Sequence, residues 1–359
     1  MAVPIRTLPP QDNIVYIKTH KCASETLSAI FRRYGYVRNL SFVLPVDGRN
    51  NLGWPEPLDP GMYRPSKTGT YNILCEHTIL TLPHMADIMP NDTMFITGIR
   101  DPFEHMKSAF HYFNIQGVGA VNGSNPLTEY LRHLDKYDAI YKAVGNKRRS
   151  GYCVPAHLSM TQNSIAFDLG FPTGFAKGTK DQTRNATAVQ EWLDMLDKRM
   201  DFVLIVEYFD MSLVMLRRTL RWNTKDILYI RRNTQSYKVA QKIDEQLLRN
   251  YKVWSHVDYL LYDQFNKTLW QKVAQQSDDF WDECRDFDSV LNKTREFCNA
   301  EKHRRNESLQ FPAKPWSDSF NVTAKDCAII KRRVMKELRR QYDQIKVPVK
   351  YRKRSGQTC

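Results

Sequence analysis

The chain has 359 residues, of which 42% are hydrophobic and 12% aromatic, so it has enough apolar side chains for a folded core and is not a disordered chain. Its 15 Gly and 17 Pro are too few for a collagen-like or linker-like sequence. The formal net charge is +14, and residues 301–359 hold 16 basic and 6 acidic side chains, which places +10 there and +4 elsewhere and favours an anionic partner.

The N-terminal part of the chain predicts a lead-in followed by a strand, a loop and a helix. Residues 1–12 have no long apolar stretch, so they form neither a signal peptide nor a membrane anchor, and no apolar run in the sequence approaches the roughly 20 residues that span a bilayer. The β-branched and aromatic run NIVYIKT (13–19) predicts a buried strand, and HKCASE (20–25) a polar loop. The segment TLSAIFRRYG (26–35) has apolar residues at helical spacing, which predicts a helix that ends at Gly35.

Later segments predict an alternation of strands and helices. Strands are expected at 71–75, 93–99, 202–207 and 227–230, separated by segments of helical length. This alternation is typical of an α/β domain with a mainly parallel sheet. Residues 44–70 are rich in Pro, Gly and Asp and predict a long surface loop that helps to form a substrate mouth, while 324–345 predict one basic helix. We predict a single domain over 13–359, in which 271–359 is a basic, cysteine-containing C-terminal extension packed on the core.

Asparagine sequons indicate the cellular compartment. With 20 Asn and 40 Ser and Thr in the chain, random placement gives roughly two Asn-x-Ser/Thr sequons. Eight are present: Asn39, Asn91, Asn122, Asn185, Asn266, Asn292, Asn306 and Asn321. This excess favours a glycosylated protein of the secretory-pathway lumen over a cytosolic one.

The seven cysteines agree with a luminal protein. Cys284, Cys298, Cys327 and Cys359 predict a disulfide near the C-terminal end, with the pairing left open. The sequence contains no CxxC motif, and His303 is the single histidine near Cys298, so a structural zinc site is not expected.

The loop between the first strand and the first helix is a candidate anion site. In an open parallel sheet, ligands bind beyond the carboxyl ends of the strands, where helix N-termini present N–H groups to anions. This loop offers the charges of Lys18 and Lys21 and the hydroxyls of Thr19, Ser24 and Thr26, which suit a phosphate or a sulfate. It lacks the glycines of a Walker A loop, so a kinase is not favoured. The alternative is a plain turn, capped by Ser24, with solvated lysines.

A second segment offers another anion clamp. In TMFITGIRDPFEHMKSAFHYF (93–113), a strand ends at Arg100, Asp101 and Pro102 suit the start of a helix, and that helix carries Ser108. A guanidinium at a strand end and a hydroxyl eight residues later can hold one phosphate from two sides. The alternative is that Arg100 pairs with a carboxylate such as Asp101 or Glu104.

Together the two segments resemble the nucleotide-sulfate sites of sulfotransferases. More narrowly, IKTHKCASET (17–26) resembles the signature of the galactose 3-O-sulfotransferases, and NSIAFDLGF (163–171), VEYFDMSLVMLRRTLRW (206–222) and DQFNKTLW (263–270) are also similar to that family. The resemblance runs from about residue 13 to 270, and it implies a P-loop-like three-layer sulfotransferase fold with 3′-phosphoadenosine 5′-phosphosulfate as sulfate donor. The implied donor-binding residues are Lys18, Thr19, Lys21, Cys22, Ala23, Ser24, Thr26, Arg100 and Ser108. Two departures are the absence of the family's N-terminal membrane anchor and Met211, where the family leads us to expect an acidic residue.

Roles for single residues follow from the charge that develops during sulfuryl transfer. A cation is needed where negative charge grows on the leaving oxygen, and Lys21 holds the family's loop-lysine position, so no metal is required. Lys18 is expected to neutralise phosphate or to face solvent. A general base is needed for the acceptor hydroxyl. His77 is the predicted base, as in the related hexuronyl 2-O-sulfotransferases, and His20 is predicted to position substrate or sulfate.

Two further residues, Cys22 and Glu76, lie near these positions in the sequence. Cys22 lies inside the loop, where a helix N-terminus and a lysine could activate a thiolate nucleophile, but the resemblance implies donor binding with no covalent intermediate. Glu76 could orient His77, yet successive strand residues point to opposite faces, which argues against it.

The resulting hypothesis is a Golgi-luminal enzyme that sulfates the 3-hydroxyl of a galactose on a glycolipid, such as galactosylceramide, or on a glycan. The resemblance also implies membrane association through an N-terminal anchor, which is absent from this sequence. The alternatives are a uronic-acid or glycosaminoglycan O-sulfotransferase and a non-catalytic binder of polyanions that uses the basic C-terminal helix. The sequence contains no recognisable nucleic-acid motif, so nucleic acid is not an expected partner.

Overall fold

The strands of the protein form one parallel sheet and two short hairpins. The structure is a computed structural model that describes residues 8–46, 51–66, 69–144, 147–149, 152–176, 178–230, 243–300, 307–332 and 334–343. Within these residues the strands are β1 Ile14–Ile17, β2 Ile73–Leu74, β3 Met94–Ile99, β4 Lys147–Arg149, β5 Tyr152–Val154, β6 Phe202–Ile205, β7 Ser308–Phe311 and β8 Phe320–Thr323. Strands β4 and β5 form one antiparallel hairpin, and β7 and β8 form the other.

The helices of the described residues surround this framework. They are α1 Ser24–Val37, α2 Leu82–Ile88, α3 Pro102–Tyr112, α4 Ile115–Val118, α5 Pro126–Arg132, α6 Leu134–Ala143, α7 Ser164–Asp168, α8 Ala186–Arg199, α9 Phe209–Leu220, α10 Glu245–Trp254, α11 His256–Ala274, α12 Phe280–Asn299, α13 Ala324–Lys331 and α14 Met335–Asp343. Two 3₁₀ helices span Val206–Tyr208 and Thr224–Ile227. None of the helices in the described part of the chain is long and apolar enough to cross a membrane.

The central sheet has four parallel strands in the order β2-β1-β3-β6. Ile14 of β1 lies opposite Ile73 on one side and Met94 on the other, and β3 pairs in turn with β6. The strands are buried along most of their length because helices cover them, with α1 packed on β2, and α9 and α11 packed on β6. The predicted α/β fold with a mainly parallel central sheet is therefore confirmed. Since all four strands run in one direction, their carboxyl ends meet at one edge of the sheet.

Two predicted elements near the sheet differ from the structure. Residues 227–230 are not a strand: Asn223 and Asp226 form a capping box that starts the 3₁₀ helix ending at Ile227, and the apolar residues that follow are buried without joining the sheet. Helix α1 does not stop at Gly35 but continues to Val37. A Cβ atom at Gly35 would lie 2.5 Å from the Phe42 ring, so this glycine permits close packing rather than ending the helix.

The predicted helix over 324–345 is two helices in the described residues. Helix α13 ends at Lys331 because Arg332 is extended, and Val334 has a positive φ of 51° before α14 begins. The predicted C-terminal disulfide is present as Cys298–Cys327, which ties the end of α12 to α13. The part of the prediction beyond residue 343 lies outside the described residues.

A buried ion pair joins α1 to the segment that follows β2. Both nitrogens of the Arg32 fork donate to Glu76, from Nε to Oε1 at 2.7 Å and from Nη2 to Oε2 at 2.5 Å, and both side chains are at most 2% exposed. Glu76 therefore faces helix α1, in agreement with the argument that it does not orient its neighbour His77.

We expect Glu76→Gln to lower the free energy of unfolding by about 3–5 kcal/mol, because it leaves the Arg32 guanidinium buried without its counter-charge. Urea unfolding followed by circular dichroism measures this. The matched control is Asp282→Asn, which breaks the pair between the exposed side chains of Asp282 and Arg285 and should cost less than about 1 kcal/mol. Equal costs for the two variants would contradict the assignment.

Candidate active site

The loop between β1 and α1 lies at the carboxyl edge of the sheet and is tied to its neighbours. Lys18 is buried, and its Nζ atom lies 2.5 Å from Oε1 of Glu25 in the first turn of α1, so it does not face solvent as one alternative had it. The Thr19 hydroxyl donates to the carbonyl of Gly98 in β3. These contacts hold the loop against the adjacent strand.

The backbone of this loop forms a cradle of N–H groups. Lys21 and Ala23 have φ values of 58° and 54°, in the left-handed region. Within the described residues the amides of Cys22, Ala23 and Ser24 donate no hydrogen bond. The N-cap of α1 is Ala23, without a side-chain hydrogen bond, so the alternative of a turn capped by Ser24 is wrong. Adjacent amides in such a conformation form a concave anion site, and Thr26 follows in the first turn of the helix.

Cys22 is a buried thiol in this loop. Its Sγ atom donates to the carbonyl of His20 at 3.2 Å, and the side chain is 0% exposed. Burial raises the pKa of the Cys22 thiol far above its ordinary value. Because the thiolate is the nucleophilic form, the alternative of covalent catalysis by Cys22 is not supported.

The ammonium group of Lys21 lies over an aromatic ring. Its Nζ atom is 3.6 Å from the ring centroid of Tyr112, the last residue of α3, which is a cation–π contact. Ser108 is buried on the same helix, one turn before Tyr112. Residues four apart on a helix share a face, so Ser108 lies on the face of α3 that carries Tyr112 to the loop.

Arg100 joins the two predicted anion clamps. It follows β3, and its Nη1 atom donates to the carbonyl of Lys21 at 3.4 Å. It also lies 3.6 Å from a carboxylate oxygen of Glu104 and 4.0 Å from one of Glu207. Asp101 caps α3 by accepting from the Glu104 amide, as predicted. Arg100 thus pairs with Glu104, as the alternative from the sequence has it, and it also contacts the β1–α1 loop.

His105 holds the same loop through a hydrogen bond. Its Nε2 atom is 3.1 Å from the carbonyl of His20, so the ring carries its hydrogen on Nε2, as this acceptor requires. Burial, with a further contribution from the Arg100 charge, lowers the pKa of His105 to about 3. The side chain is therefore a neutral hydrogen-bond donor at physiological pH.

The two predicted catalytic histidines stack on each other. The rings of His20 and His77 are 4.3 Å apart at an angle of 21°, and both side chains are 4% exposed. Burial first, and then the charges of Lys18 and His20, hold the pKa of His77 well below its ordinary value. The His77 ring also hydrogen-bonds the backbone of Lys18. His77 is thus a neutral imidazole placed beside the donor loop.

Asp168 and Trp54 complete the environment of His20. One carboxylate oxygen of Asp168 accepts from the backbone amide of His20 and lies 2.7 Å from its Nδ1 atom. The other accepts from the indole Nε1 of Trp54 at 2.8 Å, and the Trp54 ring lies 4.5 Å from the His20 ring. Trp54 belongs to the predicted loop 44–70, which reaches the site; it is not purely a surface loop, because Leu52 and Trp54 are buried.

Four residues of the site have no counterpart among the sequence predictions: Trp54, His105, Tyr112 and Asp168. A weak signal exists for three of them. His105 and Tyr112 occupy the predicted helix at positions three before and four after Ser108, and Asp168 is an acidic residue inside the apolar stretch SIAFD. Trp54 carries no local signal beyond its place in a loop rich in Pro and Gly.

The buried neutral histidines make stability depend on pH. Since the folded-state pKa of His105 is about 3 and lies below the unfolded value of about 6.5, the unfolded chain binds protons first as the pH falls. The stabilisation is complete above about pH 6.5 and declines towards pH 3, by up to about 1.4 kcal/mol per pH unit. We expect urea unfolding between pH 7.5 and 5 to show this decline, with a smaller slope in His105→Gln. An unchanged slope in that variant would contradict the neutral buried state.

Comparison with known proteins identifies the family of the chain. A family model described as Galactose-3-O-sulfotransferase matches residues 1–321. Human galactosylceramide sulfotransferase is 32% identical over 267 residues, human galactose-3-O-sulfotransferase 2 is 31% identical over 271 residues, and mouse galactose-3-O-sulfotransferase 3 is 29% identical over 280 residues. These alignments cover 74%, 75% and 76% of this chain but 58%, 63% and 60% of the respective relatives. The chain therefore belongs to the galactose-3-O-sulfotransferase family.

Proposed function

We propose that the protein transfers the sulfuryl group of 3′-phosphoadenosine 5′-phosphosulfate to the 3-hydroxyl of a galactose. The carrying observation is that Arg100 donates to the carbonyl of Lys21, so the two predicted anion clamps lie next to each other at the carboxyl edge of the sheet. The names of the relatives, galactosylceramide sulfotransferase and galactose-3-O-sulfotransferase 2, support the acceptor class.

The residues of the two clamps suit an anionic nucleotide. The amides of Cys22, Ala23 and Ser24 are available as donors, and Lys21 supplies positive charge. Lys18 and Arg100 add positive charge that Glu25 and Glu104 partly balance. We assign the β1–α1 loop, including Thr19 and Thr26, to the 5′-phosphosulfate. Arg100 and Ser108 are assigned to the 3′-phosphate.

The chemical step needs one cation and one base. The galactose O3 atom forms a bond to sulfur while the bond from sulfur to the bridging phosphate oxygen breaks, and that oxygen keeps the electron pair. Lys21 stabilises the charge that grows there. His77 accepts the proton of the attacking hydroxyl, so the products are a sulfate ester and 3′-phosphoadenosine 5′-phosphate. The lowered pKa of His77 keeps its imidazole neutral before transfer, and it also makes His77 a weaker base than a free histidine.

The acceptor and the compartment complete the proposal. We propose a galactose-containing glycolipid or glycan as acceptor and the Golgi lumen as the site of action. Sequon exposure supports the luminal assignment, because Asn39, Asn91, Asn122, Asn292 and Asn321 all have exposed side chains. The Cys298–Cys327 disulfide is also typical of an oxidising compartment.

A donor-driven acceptor screen tests the function. The protein is incubated with the sulfate donor carrying a labelled sulfuryl group and, separately, with galactosylceramide, lactose-type glycans and glycosaminoglycans. Labelled product is expected with the galactosides, at the galactose 3-position by mass spectrometry of the fragmented product. Transfer to uronic-acid polymers alone, or tight polyanion binding without any transfer, would overturn the proposal in favour of one of the two alternatives.

A further inference from the structure

The two stacked histidines of the site have different hydrogen-bond partners. The Nδ1 atom of His20 and its backbone amide both meet the same carboxylate oxygen of Asp168, at 2.7 Å each. Asp168 is 1% exposed, and its second oxygen is held by the Trp54 indole. The carboxylate is therefore fixed on both sides and can only accept hydrogen bonds, so the His20 hydrogen must sit on Nδ1.

We propose that Asp168 is a positioning residue that fixes the ring orientation and tautomer of His20. The proposal rests on the proposed sulfuryl-transfer function. Because Nδ1 is bonded to Asp168, the ring of His20 cannot turn without losing this hydrogen bond. A carboxylate in this position is the usual means of orienting a functional imidazole.

The buried carboxylate of Asp168 gives His20 a fixed partner in the site. Asp168 and His20 are 1% and 4% exposed, so water does not compete for their hydrogen bond. The Glu76 carboxylate, next to His77 in the sequence, binds Arg32 instead of a histidine of the site. Asp168 is thus the carboxylate that sets the orientation of the stacked pair, through His20.

A buried carboxylate outside the site provides a matched control. Glu283 of α12 is 2% exposed and binds Arg217 and Arg218 of α9. It contacts neither histidine in the described hydrogen bonds. Glu283→Gln therefore tests whether the loss of any buried carboxylate lowers turnover.

The experiment combines kinetics with proton NMR of the full chain labelled with ¹⁵N-histidine. We expect Asp168→Asn to lower kcat about 10²–10³-fold with the KM for the donor changed less than about threefold, because the loss falls on the transition state. The kcat of Glu283→Gln should stay within about threefold of the wild type. The wild type should show a strongly deshielded Nδ1 proton that is lost in Asp168→Asn and in the assignment variant His20→Gln. Equal losses of kcat in Asp168→Asn and Glu283→Gln, or a deshielded proton that persists in Asp168→Asn, would overturn the proposal.

Calorimetric binding of 3′-phosphoadenosine 5′-phosphate shows whether Asp168→Asn is folded. If it is not, a milder variant keeps the test decisive. Trp54→Phe keeps a ring against His20 and removes the hydrogen bond to Asp168, so kcat should fall about fivefold to tenfold and the deshielded proton should shift. No change in either measurement would refute the positioning role. A wild type that shows the proton but transfers no sulfuryl group would instead refute the proposed function and leave the His20–Asp168 bond established.

Discussion

Replacing Lys21 by alanine is expected to lower kcat about 10²–10³-fold, since the charge on the leaving phosphate oxygen then grows without a cation beside it. The ammonium group is held over the Tyr112 ring, 3.6 Å from its centroid, on a loop that Arg100 and His105 also contact. Because these contacts leave the loop backbone in place, the substitution removes the charge rather than the site. The measurement is initial-rate kinetics with labelled donor and a galactoside acceptor.

A second lysine provides the control for Lys21. Lys136 also lies over a tyrosine ring, 4.9 Å from the centroid of Tyr137, but on the exposed face of α6 away from the sheet edge. Lys136→Ala should therefore leave kcat unchanged. Binding of a sulfated polysaccharide should be nearly equal in Lys21→Ala and in the wild type, since one charge in +14 is lost. If Lys21→Ala kept full turnover, the leaving-group role would have to move to another cation.

Removal of the His77 imidazole is expected to lower kcat about 10²–10⁴-fold, the usual contribution of a general base. His77→Ala leaves a small space beside His20, because the lost ring is buried and stacked at 4.3 Å. Added imidazole can enter such a space and accept the proton in place of the side chain. We therefore expect partial recovery of turnover by imidazole, measured as kcat against imidazole concentration at constant pH.

Two comparisons make the His77 result specific. His133 is 53% exposed on the surface, so His133→Ala should behave as the wild type and should not respond to imidazole. The affinity for 3′-phosphoadenosine 5′-phosphate should be retained in His77→Ala, since donor binding is assigned to other residues. A variant that loses both turnover and nucleotide binding, with no response to imidazole, would show that His77 supports the fold instead of the chemistry.

Local signals predicted the half of the site that is contiguous in sequence. One run of residues encodes the strand, loop and helix around Lys21. Another run encodes the strand and the capped helix around Arg100, where Asp101 and Pro102 mark the helix start. Parallel strand order then brings Arg100 to Lys21, which the general rule on sheet edges anticipates. These parts of the site needed no long-range information beyond the topology.

The remaining partners depend on tertiary contacts that no local pattern encodes. Asp168 meets His20 across 148 residues of chain, and Trp54 meets Asp168 across 114. The same limit explains the wrong strand at 227–230. The 3₁₀ helix Thr224–Ile227 packs on α1 and α9, and the buried Leu228 and Tyr229 that follow pair with no strand among the described residues. Hydrophobicity predicts that such a run is buried. It does not show whether the run pairs with other strands in a sheet or only packs its side chains against helices.

The left-handed residues of the β1–α1 loop bear on how tightly a nucleotide can be held. Left-handed backbone at a residue with a Cβ atom costs roughly 1–2 kcal/mol, whereas glycine adopts it almost freely. A loop built from Lys21 and Ala23 exists in this shape because its surroundings impose it, so it is already ordered before any ligand arrives. Nucleotide binding then costs little conformational entropy of the loop. A larger share of the contact energy therefore appears as affinity than with a flexible glycine-rich loop.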